Sequence, residues 1–63
     1  HYKLKIENGY VRIYEVDEQK NEKLLKSTDI SSEYLTTEDL EKLKNGIEIY
    51  TKKELNKTIE DFE

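Results

Sequence analysis

The 63 residues are enough for one small domain, and fifteen acids against eleven bases leave a net charge of −4. There is no cysteine, so neither a disulfide framework nor a thiolate metal site can hold the fold together. Leu, Ile, Val and Phe fill sixteen positions, enough for a small core, but no apolar run approaches the roughly 20 residues of a membrane span.

In chain order the first element is a hairpin. Apolar and polar residues alternate through Leu4-Lys5-Ile6-Glu7 and Tyr10-Val11-Arg12-Ile13, on either side of Asn8-Gly9. Asn-Gly suits a type I′ turn, which needs φ > 0 at both central residues. A two-residue turn sets the register: Glu7 opposite Tyr10, Ile6 opposite Val11, Lys5 opposite Arg12, Leu4 opposite Ile13, Lys3 opposite Tyr14. Alternation then sends Leu4, Ile6, Val11 and Ile13 to the core. Lys3, Lys5, Glu7, Tyr10, Arg12 and Tyr14 go to the other face.

Residues 17–23 carry no apolar side chain and are expected to be a solvated loop. Leu24 to Ile30 reads as a third strand, with its register open, because adjacent Leu24 and Leu25 must point to opposite faces. Ser31 to Leu35 suits one 3₁₀ turn. Thr36 is a fit N-cap, with Glu38 and Asp39 in the first turn, where the helix dipole favours acids. Leu40 and Leu43 give that helix an apolar stripe, Leu35 is placed to staple its start, and Asn45-Gly46 ends it. Ile47 to Tyr50 alternates and is expected to be extended. Thr51 and Glu54 form a capping box, and Leu55, Ile59 and Phe62 follow on one helical face. The last stripe closes within a residue of Glu63, so the domain is expected to end there.

These elements predict one α+β domain over residues 1–63. It is a three-stranded antiparallel meander packed on one face by two helices plus a short helical turn. The expected core is Leu4, Ile6, Val11, Ile13, Leu24, Ile30, Leu35, Leu40, Leu43, Ile47, Ile49, Leu55, Ile59 and Phe62.

The residues in order carry a resemblance. Tyr2-x-Leu4-Lys5, Asn8-Gly9-Tyr10-Val11-x-Ile13-Tyr14 and Leu24-Leu25-x-x-Thr28-Asp29-Ile30 are followed by Leu35-x-x-x-Asp39, Leu43-x-x-Gly46-Ile47-x-Ile49, Glu54-Leu55 and Ile59-Glu60-Asp61-Phe62. This pattern resembles the C-terminal domain of the bypass-of-forespore (BofC) family, found in spore-forming Firmicutes, over essentially the whole chain. Thr28-Asp29-Ile30 and Leu43-x-x-Gly46-Ile47 are its most specific parts. The family often has Pro where Thr36 stands, and Thr can cap the helix in its place. The resemblance implies three strands with three helices and an extracytoplasmic setting, with the domain tethered by an N-terminal membrane anchor. It also implies restraint of a signalling serine protease, and it offers no active-site residues. The chain has no Met, so a fragment or processed form is expected, and the implied anchor would lie before His1.

Residue supply argues against an enzyme. His1 is the only imidazole, and Ser27, Ser31 and Ser32 have no base beside them. The pairs Glu38/Asp39 and Glu60/Asp61 point in different directions on a helix. No EF-hand spacing occurs, so no metal and no cofactor is expected. The candidate site is the outer sheet face, Lys3, Lys5, Tyr10, Arg12 and Tyr14. Three readings stay open for it: a protein-binding face, a solvated cover over an open sheet, or a stacking surface for single-stranded nucleic acid. Against the last stands the net charge, with nine acids and five bases in residues 31–63 alone, so no nucleic-acid partner is expected. Two open sheet edges would allow strand addition, hence a monomer or weak dimer.

Overall fold

The computed structural model describes all 63 residues. Strands β1 (Tyr2–Glu7) and β2 (Tyr10–Val16) form the hairpin, and β3 (Glu22–Ser31) returns along β2. A 3₁₀ turn (Ser32–Tyr34) leads to helix α1 (Thr37–Asn45), strand β4 (Ile47–Ile49) and helix α2 (Lys52–Phe62). Asn8 and Gly9 take φ of 53° and 84°, as a type I′ turn requires, and all five expected β1–β2 pairs are present. Tyr2 opposite Glu15 extends the ladder.

The sheet has four strands, in the order β3-β2-β1-β4, where the alternation alone predicted three. Ile47 to Ile49 does more than run extended. It pairs antiparallel with β1, setting Tyr2 opposite Ile49 and Leu4 opposite Ile47. The physical reason is that β1 would otherwise present an open ladder beside the helices, and three residues pair with its first half while turning Ile47 and Ile49 to the core side.

Both helices start on threonine caps. Thr36 Oγ1 accepts from Asp39 N–H at 3.2 Å, and Thr51 Oγ1 accepts from Glu54 N–H at 3.1 Å. Gly46 at φ 90° ends α1, its N–H donating to Leu43 O at 3.1 Å.

Leu4, Val11, Ile13, Leu43, Ile49 and Leu55 are buried together, with half-buried Tyr2, Ile6, Ile30, Leu35, Ile47, Ile59 and Phe62 against them. Two expected core residues lie elsewhere. Leu40 is half-buried outside this cluster. Leu24 is 48% exposed, because β3 is bulged. Ile13 faces Lys26 while Tyr14 faces Leu24, so Leu25 is an extra residue, and Leu24 lands on the outer face with Tyr14. Val16, which the expected core omits, is buried on that same outer face opposite Glu22.

A second irregularity sits one turn of ladder away. Tyr10 faces Ser31 and Arg12 faces Ser27, so Thr28, Asp29 and Ile30 oppose Val11 alone. The Thr28 hydroxyl donates to Val11 O at 2.7 Å and accepts from Ile30 N–H at 3.2 Å. One side chain thus stands in for the ladder where the backbone swings out.

Candidate functional site

The hairpin register and the β3 bulge together build the outer sheet face. Lys3 and Lys5 project from β1, Arg12 and Tyr14 from β2, and Glu22 from the first position of β3. Lys5 crosses above Tyr14, its Nζ 4.9 Å from the ring centroid, and ion-pairs with Glu22. Lys3 Nζ reaches the same carboxylate at 3.5 Å. On the other side of Tyr14 a second carboxylate gathers partners: Tyr14 Oη donates to Glu7, and Arg12 lies 3.4 Å from it.

The structure therefore brings four of the five candidate residues, Lys3, Lys5, Arg12 and Tyr14, into one network around two carboxylates. Tyr10 stands apart from it, 47% exposed. Three cations meet two carboxylates, so the face carries little surplus positive charge. The hydrogen bond from Lys5 holds the Glu22 carboxyl below its ordinary 4.5, and the same bond raises Lys5. The hydrogen bond to Glu7, helped by burial, pushes the Tyr14 phenol above its ordinary 10.0.

Glu22 is the member that sequence reasoning misses, because residues 17–23 carry no apolar side chain and read as a solvated loop. The available signal was its i, i−2 spacing from Leu24, which puts both on one face once the strand is allowed to start two residues earlier. At the margin of this face the His1 amino group donates to Val16 O at 3.1 Å, and Val16 N–H donates to His1 O at 2.7 Å. The His1 ring lies 3.0 Å from Glu48 and stacks on Tyr50 with centroids 4.8 Å apart.

The helix side offers a second feature. Helix α1 lies on β1 and α2 lies by β4, which leaves the β2–β3 half of that face partly uncovered. A groove runs there between β3 and α2. Its two lobes, about 460 and 480 Å³, share Ile13, Lys26 and Ile59. The bulge puts Leu25 into its wall and leaves that side chain 51% exposed. No three His, Asp or Glu side chains gather as metal ligands, and no helix is long and apolar enough to cross a membrane.

No curated protein and no solved structure matches the chain. A comparison with known protein families matches residues 3–63 to the BofC C-terminal domain. That span takes in the hairpin, the Thr28-Asp29-Ile30 bulge, the Leu43-x-x-Gly46-Ile47 corner and both helices. On this match the chain belongs to the BofC C-terminal domain family.

Proposed function

We propose that this is a non-enzymatic regulatory domain that acts outside the cytoplasm by binding another protein, held at a membrane by a segment elsewhere in the full-length protein. Family membership over residues 3–63 carries the reading, and it is compatible with a regulatory role in sporulation. The resemblance makes a signalling protease the partner class to test first.

The outer face supports a protein partner over a nucleic acid. Its cations are already engaged by Glu7 and Glu22, so there is no stripe of free charge to track a phosphate backbone. Tyr14 is held by its hydroxyl in that network with Lys5 over its ring, and only Tyr10 offers a free ring on this face, too little for successive base stacking. The same internal pairing favours a second reading, a spacer module with no specific partner, since a self-satisfied face needs nothing to cover it.

The test uses the full-length protein in its own cells, tagged and cross-linked, with and without residues 1–63. A cross-linked protein that disappears on deletion, and is weakened by Tyr10→Ser or Leu25→Ser without a drop in thermal midpoint, is the expected result. Identical partners with and without the domain would leave the spacer reading. Protease shaving of protoplasts checks the compartment, with degradation of the domain in intact protoplasts expected.

A further inference from the structure

We infer that the groove between β3 and α2 is the docking site for a partner segment with aliphatic or aromatic residues at its centre and lysine or arginine at its ends. The inference rests on the protein-binding reading above and says which surface does the binding and what it selects. Leu25, Ile30, Ile59 and Phe62 supply apolar walls over the Ile13 floor, and Tyr34 stands 85% exposed at one lobe. Apolar walls alone would accept any apolar segment, so the sign of the surrounding charge decides the partner.

That charge is negative. Asp29, Glu60 and Glu63 line the groove against Lys26 alone, and none of these carboxylates is in an ion pair. The contrast with the outer face is direct, because there each carboxylate holds a cation of the chain itself. Unpaired rim charges of one sign steer and select a partner of the other. The exposed Tyr34 ring adds a face on which a cationic side chain can stack.

Strand addition is the competing mode at an edge strand, and β3 resists it. Its two bulges fall at Leu25 and at Thr28 to Ile30, so no long run of evenly spaced backbone groups is offered. Recognition runs through side chains entering the groove.

The test uses the full-length protein and three fluorescein-labelled 12-residue peptides, read by anisotropy. One has a Leu- and Phe-bearing centre with Lys flanks, one has the same centre with Glu flanks, and one has a Ser centre with Lys flanks. The first is expected to bind about tenfold tighter than either other. Leu25→Ser should weaken it about fivefold, since an exposed anchor is lost with little effect on the core. The double variant Asp29→Asn, Glu60→Gln should shrink the preference for Lys over Glu flanks, and Tyr10→Ser should change nothing. Equal affinity for Lys and Glu flanks, no measurable binding of any peptide, or sensitivity to Tyr10→Ser with none to Leu25→Ser overturns the proposal. In each of those cases the domain-deletion cross-linking separates the two failures. A partner lost on deletion keeps the protein-binding reading and sinks only the groove.

Discussion

Glu22 and Tyr14 each hold a proton equilibrium away from its ordinary position, and in opposite directions. Folding lowers the Glu22 carboxyl through the bond from Lys5, so this contribution to stability is complete above pH 4.5 and is lost as pH falls through the lowered value. Glu22→Gln should flatten the acid limb of a stability–pH curve, with wild type and variant converging at the lowest pH. Folding raises the Tyr14 phenol through Glu7, so its contribution is complete below pH 10 and is lost as pH rises through the raised value. Ultraviolet titration should show one of the five tyrosines ionising after the others, and Glu7→Gln should bring it back among them. Gly9 tests the turn. A Cβ there would meet only Ser32 Oγ at 3.9 Å, so space is not the obstacle. The cost of Gly9→Ala is conformational, on the order of 1 kcal/mol for an L-residue at φ 84°. An unchanged denaturant midpoint would refute it.

Among the elements, β3 is the one the helices leave least covered, and its first six residues are all exposed. Its attachment to β2 in the bulged stretch depends on the Thr28 hydroxyl. Thr28→Val keeps the shape and removes both hydrogen bonds, leaving the Val11 carbonyl without this donor. A loss of about 1–2 kcal/mol is expected, read by urea denaturation, with amide exchange accelerated from Ser27 to Ser31 more than in β1. A uniform acceleration across the sheet would mean that β3 has no local opening of its own. The hairpin, the two capped helices and most of the core were legible because their signals are local: a turn dipeptide, a period, a cap. Three features were not. The pairing of β4 with β1 joins residues more than forty positions apart, and Ile47-Glu48-Ile49 carries the same alternation whether or not a neighbour exists. Bulges have no short sequence signature without a glycine, so the sequence alone puts Leu24 in the core where the bulged register turns it outward. The salt-bridged network was half legible: register placed Lys3, Lys5, Arg12 and Tyr14 on one face, but the Glu22 that organises two of them lay across a loop.

At the scale of the molecule, stability rests on few residues. Seven are buried, and six of those form one cluster in which Leu4 and Leu43 join the central strand to α1. A domain of this size has about 3–9 kcal/mol in total. Leu43→Ala removes a fully buried side chain at a cost of about 2–5 kcal/mol, so the variant should be largely unfolded at 37 °C or melt far below the wild type. Leu40→Ala, outside the cluster, should cost less than half as much. Equal losses by circular dichroism would place the α1 contact elsewhere. The groove follows from the same economy: two short helices cover the β1–β4 half of the sheet and run out before they cover β3.

The position of β1 also has a bearing on how the protein is made. It is the first of these four strands to be synthesised and sits in the interior of the sheet, with β2 on one side and β4 on the other. Its second neighbour arrives some forty residues later, after about 2–9 s at ordinary elongation rates. Through that interval the nascent hairpin shows an unsatisfied strand edge and a bare row of Leu4, Ile6, Val11 and Ile13, which are the features that holdase chaperones and other nascent chains recognise. A sheet that is closed last on its oldest strand stays pliable until β4 has been made.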